Sequence, residues 1–202
     1  MVNEAVRSGR RWGNAPRRAI AMLALACLAS CHSEPARESA ARQVDSASPP
    51  IQPVASIKEL MDSVVDPAAD GLWGAVATIS TTKGVERREP RTDEEWKAVR
   101  RHAISLIEGM NLAMMEGRHA APSGSAPGPG ESRPEEIDAA IAANRPEFNQ
   151  FADLVRGRAI EALHAIDKKD PKALFNVGSK IDNACESCHV TFWYPNSPRP
   201  AT

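Results

Sequence analysis

Residues 170–189 read DPKALFNVGSKIDNACESCH, and this stretch near the C-terminus predicts a helix together with the side chains that the helix buries. Asp170 followed by Pro171 is typical of an N-cap and a first-turn proline. Apolar residues then recur at intervals of three and four, which predicts one buried helix face. That face carries Leu174, Val177, Ile181, Ala184 or Cys185, and Cys188, so both cysteines are expected to point toward the core.

Three further segments with the same helical period precede this one. They cover about residues 56–79, 92–113 and 134–166, and the first two begin with the capping boxes Ser56-x-x-Glu59 and Thr92-x-x-Glu95. Pro67 and Pro146 each predict a bend or a break. No strand pattern of comparable quality appears, and the charged residues 86–95 are expected to form a loop and a helix start. We therefore predict an all-α domain over residues 55–202, folded as an antiparallel up-down-up-down four-helix bundle.

The last five residues of the opening stretch, Cys185-Glu186-Ser187-Cys188-His189, form the Cys-x-x-Cys-His pattern of c-type haem attachment. Two thiols at this spacing can each add across one haem vinyl group, and the adjacent imidazole then binds iron as the proximal ligand. The alternatives are a redox-active dithiol and half of a zinc site. A dithiol oxidoreductase would show alternating strands and helices, and a zinc site would need more ligands nearby. The pattern therefore predicts one covalent haem c near the C-terminal end of helix four.

The N-terminus predicts export. Five arginines precede an apolar run from Ala19 to Leu28, which is typical of a secretory signal peptide and too short for a spanning helix. Leu28-Ala29-Ser30-Cys31 resembles the bacterial lipobox, in which the cysteine is lipidated and becomes the mature N-terminus. Cys27 fits less well, because Ala24 stands where a branched apolar residue is expected. The alternative is an ordinary cleaved signal with an unrelated cysteine.

These assignments divide the chain into a cleaved signal (residues 1–30), a flexible tether rich in Ser, Ala, Pro and Glu (31–54) and the helical domain. His32 stands where an aspartate would favour the inner membrane, so the resemblance favours the outer membrane, with the domain on the periplasmic side. Loss of the signal removes five arginines and one glutamate, which leaves 20 basic and 25 acidic side chains. This acidic balance argues against nucleic acid as a partner.

Bundle topology also predicts what lies near the haem. The end of helix four shares a pole with the start of helix one, the end of helix two and the start of helix three. Met61 on helix one belongs to that pole, as do Met110, Met114, Met115 and His119 on or just after helix two. Methionine at a helical core position serves packing more often than ligation when no cofactor is near.

Residues 55–194 resemble a class II cytochrome c, the group that contains cytochrome c′, because the haem motif lies close to the C-terminus, at the end of the last of four helices. The tail Val190-Thr191-Phe192-Trp193 matches the family's aromatic or basic tail loosely, with Trp193 where a basic residue is common. In the low-spin branch of this family a methionine near the start of helix one binds iron, and Met61 falls at that position. The resemblance thus implies Met61 as the distal ligand; an open distal face, or Met114, Met115 or His119 as the ligand, are the alternatives.

Two functions follow from these two states of the distal face. A face closed by Met61 predicts an electron carrier that serves periplasmic or membrane redox proteins and has no enzymatic activity of its own. An open or displaceable face predicts a protein that binds or senses gases such as nitric oxide or carbon monoxide. A haem peroxidase would need a distal acid–base pair, and the predicted pole offers methionine and apolar residues. Family members also form homodimers through helices one and two.

Overall fold

The computed structural model describes residues 51–196, and within them the chain is mostly helical, as expected. The predicted signal peptide, Cys31 and most of the predicted tether lie outside the described residues. The elements, in chain order, are α1 (Ile57–Leu60), a first π-turn (Met61–Val65), α2 (Asp66–Ala75), β1 (Ala77–Thr81), β2 (Gly84–Arg88), α3 (Asp93–Ala113), α4 (Pro134–Ala143), α5 (Arg145–Asp167), α6 (Pro171–Cys188) and a second π-turn (His189–Trp193).

Side-chain and backbone hydrogen bonds both hold the start of α1 in place. The predicted capping box forms: the Ser56 hydroxyl accepts the Glu59 N–H at 3.2 Å, and the Glu59 carboxylate accepts the Ser56 N–H at 2.8 Å. The first N–H groups of a helix have no partner within the helix. Here those of the first two residues of α1 donate to backbone carbonyls of the segment that follows α3. These bonds join Ile57 to His119 at 2.8 Å and Lys58 to Ala120 at 2.9 Å. The beginning of the first helix and the end of α3 therefore lie together.

The first π-turn widens the helix by one residue between α1 and α2. The Asp66 N–H donates to the carbonyl of Met61, five residues back, instead of four. Pro67 follows directly, and because proline has no N–H and its ring crowds the preceding turn, it favours such a local departure from regular α-helix. Pro67 thus accompanies a widened turn in one continuous helical stretch from Ile57 to Ala75, and it does not split that stretch.

A β-hairpin replaces the end of the predicted first helix, so the expected helical position of Ile79 was wrong. Strands β1 and β2 pair antiparallel, with Thr81 opposite Gly84 across a two-residue turn. The strand sequence Ala-Thr-Ile-Ser-Thr is rich in β-branched residues, and Gly84 has a φ of 126°, a value that side-chain-bearing residues rarely adopt. The Thr81 hydroxyl also accepts the Lys83 N–H at 3.1 Å. The charged stretch after this turn is therefore partly strand, and the prediction that it is loop as far as the next helix was wrong.

The remaining helices begin and end close to the predicted positions. The capping box at Thr92 and the N-cap at Asp170 both form, the latter through the Ala173 N–H at 2.9 Å. The third predicted segment breaks into α4 and α5 at Asn144, next to Pro146 in the first turn of α5. The predicted loop over residues 121–130 contains no helix or strand.

Two apolar clusters form the interior. The larger one lies among α2, α3, α5 and α6 and includes Leu72, Leu106, Val155, Leu174 and Ile181, which are all fully buried. The smaller one joins the first and last elements to α4 and α5 through Ile57, Ile137, Ile141, Phe148 and Phe192. Met61 packs against both clusters. Among residues 51–196, no helix is long and apolar enough to cross a membrane.

Candidate functional site

A cleft opens between the first helical stretch and the C-terminal end of α6, and residues of α3 and α5 complete its lining. The cleft has a cavity volume of about 210 Å³, which is smaller than most ligand pockets, and it opens to solvent at its mouth. Its wall is mainly apolar and aromatic. The lining residues are Ile57, Lys58, Met61, Asp62, Val65, Asp66, Met110, Glu131, Phe148, Phe151, Ala152, Val155, Cys185, Cys188, His189, Trp193 and Tyr194.

Both motif cysteines line this cleft from the core-facing side of α6. They are free thiols and are not joined to each other. Burial raises the pKa of the Cys185 thiol to about 11, with smaller contributions from the negative charges of Asp182 and Asp66. Burial raises the pKa of the Cys188 thiol to about 12. Both thiols are therefore protonated at neutral pH and face an apolar space, unlike the low-pKa thiolates of reactive dithiol sites.

His189 begins the second π-turn and lines the same cleft. Its backbone carbonyl accepts the Tyr194 N–H at 2.8 Å, and its ring meets the Tyr194 ring edge to face with centroids 6.3 Å apart. The turn is anchored from inside by Phe192, which packs edge to face against Phe148 and Phe151 at 5.6 and 6.2 Å. These contacts hold the motif histidine at the mouth of the cleft, where its side chain is 41% exposed.

Met61 begins the first π-turn and lines the cleft together with Met110 of α3. The other residues considered as alternative ligands lie elsewhere. Met114 packs against the larger apolar cluster, and the Met115 sulfur accepts from the Arg118 guanidinium at 3.8 Å. His119 is largely exposed and lies 3.0 Å from Asp138. None of these three lines the cleft, so the methionines that reach it are Met61 and Met110.

Sequence reasoning missed the polar edge of the cleft. Lys58, Asp62 and Asp66 recur at intervals of four, so they form a stripe beside the apolar residues of the first helical stretch. Burial raises the pKa of Asp66, the charge of Asp62 raises it further, and the nearby His189 opposes both effects. Glu131, from the loop before α4, pairs with Lys58 at 3.1 Å. The interval of four was visible in the sequence, but the position of Glu131 required the fold.

The site thus brings a Cys-x-x-Cys-His motif and a partly buried methionine, Met61, from distant parts of the chain to one apolar space. Such a donor set, two thiols with an imidazole and a thioether, suits covalent attachment and axial ligation of a haem. Within residues 51–196, no group of three or more His, Cys, Asp or Glu side chains is arranged to hold a metal ion. Comparisons with protein-family models, with curated proteins and with solved structures found no match to this chain.

Proposed function

We propose that this chain is a c-type cytochrome of the class II kind and that it carries electrons. The observation that supports the proposal is the shared cleft, which is lined by Cys185, Cys188 and His189 from the C-terminal side and by Met61 from the start of the first helical stretch. A motif of five residues can occur by chance. A methionine more than 120 residues away that lies in the same cleft is an independent requirement of the low-spin class II arrangement.

The proposal includes the finer architecture. The continuous stretch of α1, the first π-turn and α2 is helix one, α3 is helix two, α4 and α5 together are helix three, and α6 is helix four. The backbone bonds from Ile57 and Lys58 to the segment after α3, and from Ser132 to Trp193 at 2.8 Å, support a common pole for these helix ends. This is the pole that an antiparallel up-down-up-down bundle requires.

The residues of the cleft fit a haem c. Cys185 and Cys188 would hold it through thioether bonds, and His189 and Met61 would be its iron ligands. The iron, when bound, would supply a one-electron ferric–ferrous couple. Phe148, Phe151, Val155 and their neighbours would shield the cofactor from water.

Met61 decides the function within this proposal. A thioether is a soft and neutral donor, so it favours the ferrous state and raises the reduction potential. As an iron ligand, Met61 would also compete with carbon monoxide or nitric oxide. The packing of Met61 against both apolar clusters restricts its movement, which favours an electron carrier over a gas sensor.

Absorption spectra of the purified protein test the proposal. We expect a Soret band that stays with the protein after acid-acetone extraction, low-spin ferric haem, the weak far-red band of a methionine–iron bond, and little change of the ferrous spectrum with carbon monoxide. High-spin ferric haem with ready carbon monoxide binding would favour the gas-binding alternative. Absence of covalent haem from protein made in a host with cytochrome c maturation would refute both functions.

The location and partners are proposed from the sequence. Lipidation of Cys31 would tether the domain to the periplasmic side of the outer membrane, where it would exchange electrons with periplasmic or membrane redox proteins. Cys31→Ala is expected to release the protein from membranes into the soluble fraction. The neighbouring Cys27→Ala provides a matched control and should leave the protein with the membranes. Retention of the Cys31→Ala variant on membranes would show that the anchor lies elsewhere.

A further inference from the structure

Glu131 is a nearly enclosed carboxylate at the mouth of the cleft, and it joins parts of the chain that are far apart in sequence. Its side chain is 15% exposed. It accepts the Gly128 N–H at 2.7 Å and the Lys58 ammonium at 3.1 Å. These donors, with the Gly128 N–H the strongest, lower the pKa of Glu131, so the carboxylate is charged at neutral pH. The loop before α4 is thereby attached to the first helical stretch.

Tyr194 directly contacts His189. Its ring stands at 89° to the imidazole, with centroids 6.3 Å apart, and its N–H donates to the His189 carbonyl. Tyr194 and Glu131 both line the cleft.

The loop that carries Glu131 also bonds to the second π-turn. The Ser132 N–H, one residue after Glu131, donates to the carbonyl of Trp193, one residue before Tyr194, at 2.8 Å. This bond holds the backbone beside Tyr194 against a loop that Glu131 attaches to Lys58. The Tyr194 ring restrains the His189 ring through their aromatic contact, and the acidic neighbours of His189 are Asp66 and, at 3.8 Å, Glu186.

We propose that Tyr194, held by the bond from Trp193 to the loop that Glu131 anchors, is a positioning residue that would fix the orientation of the His189 imidazole toward a bound haem. This inference rests on the proposed function. The proximal ring of a haem protein can rotate about its bond to iron, and outer contacts decide which orientation it takes. Here an aromatic edge-to-face contact supplies that restraint, and Lys58, Glu131 and Ser132 keep the aromatic ring in place.

Substitutions at Tyr194 and Glu131 in the haem-loaded protein test the proposal. We expect Tyr194→Ala to shift the ferric electron paramagnetic resonance g-values, the hyperfine-shifted proton resonances of the His189 ring and the reduction potential. Tyr194→Phe keeps the aromatic ring and is expected to restore most of each shift. Glu131→Gln should move the same resonances in the same direction by less. Glu135→Gln, an exposed glutamate on α4, is the control and should change none of them.

The contact between the Tyr194 and His189 rings can also be measured by proton NMR without haem, in the Cys185→Ala/Cys188→Ala variant. The Tyr194 ring current should displace the His189 ring protons from their random-coil chemical shifts, and adding Tyr194→Ala should abolish that displacement. Unchanged g-values, resonances and potential in folded, haem-loaded Tyr194→Ala would overturn the positioning role. If the wild-type protein carries no haem, the proposed function fails, and an absent ring-current displacement would then separately overturn the contact.

Discussion

The first π-turn and the second π-turn line one cleft from opposite ends of the chain, and each begins at a residue for which we propose iron ligation. They are stabilised differently. The second π-turn directly follows both motif cysteines and is anchored by Phe192 in an aromatic group and by the Trp193 carbonyl on Ser132. The first π-turn has no such motif, and its position depends on how Val65 packs against α3.

This difference separates a ligand fixed by local chemistry from a ligand fixed by packing. His189 directly follows Cys188, which would be covalently attached to the haem, so His189 would stay near the iron even if the surrounding helices shifted. Met61 reaches the same place only if the first helical stretch keeps its register against α3. Substitutions between the first helical stretch and α3 are therefore expected to disturb Met61 more than His189.

The largest expected effect comes from removing the covalent attachment. The Cys185→Ala/Cys188→Ala variant should lose all haem that resists acid-acetone extraction, since no other thiol of residues 51–196 lines the cleft. The measurement is the haem absorbance that remains with the extracted protein. If more than a trace of haem stayed with the extracted variant, haem would be attached at another site. His189 would then not be held near the haem by an adjacent thioether bond.

The next effect in size is expected from Met61→Ala. Loss of the thioether should abolish the far-red band, allow carbon monoxide to bind the ferrous protein, and lower the reduction potential by on the order of 0.1 V, out of the ~0.8 V range that axial ligands span. Spectra and a redox titration measure these changes.

Met110→Ala is the control for this substitution, because it removes the other methionine of the cleft. It should cost about 2–5 kcal/mol of stability through the cavity it leaves. It should nevertheless keep the far-red band. Loss of that band in Met110→Ala but not in Met61→Ala would reverse the assignment of the distal ligand.

The sequence predicted features that short-range chemistry fixes, and it predicted neither π-turn. The capping boxes, the N-cap at Asp170 and the break near Pro146 depend on short-range chemistry, and they were confirmed. The widened turn at Met61 depends on the helix register that α3 imposes, which no local pattern contains. The mostly helical fold was predicted because its apolar period repeats over long segments.

The hairpin was missed for a related reason. Its strands are five residues each and almost wholly exposed, so they show no buried alternation that would distinguish them from a loop or from the end of a helix. The polar edge of the cleft was missed because Glu131 and Tyr194 come from segments without any periodic pattern. Their association with Lys58 and His189 arises only when the chain has folded.

A smaller effect is expected from Gly109→Ala, which tests the packing of the first π-turn. A methyl group at Gly109 would lie 2.9 Å from Cγ2 of Val65, which is too close, so the turn must move away from α3. We expect a loss of about 1–3 kcal/mol in unfolding free energy. The far-red band should weaken, while haem attachment and the signals of His189 remain. Urea unfolding and absorption spectra provide the measurements.

Gly157→Ala is the matched control for this packing effect. Gly157 lies within α5, and a methyl group added there would meet nothing within 4 Å. The substitution should therefore stabilise the protein by roughly 0.5–1 kcal/mol through helix propensity alone. Equal responses of the two glycine variants would mean that α3 does not restrain the first π-turn.

The smallest effect is expected from Pro67→Ala, which asks whether proline or packing maintains the first π-turn. The π-turn contains one residue more than a regular α-helical turn. Converting it to α-helix would rotate α1 by about 100° relative to α2, because an α-helix has 3.6 residues per turn. That rotation would remove either Ile57 and Leu60 or Ala68 and Leu72 from the interior. The core therefore opposes it, and we expect a change in unfolding free energy within about 1 kcal/mol and an intact far-red band. Loss of the band would instead show that Pro67 itself holds Met61 in the cleft, so that both proposed ligands would depend on local sequence.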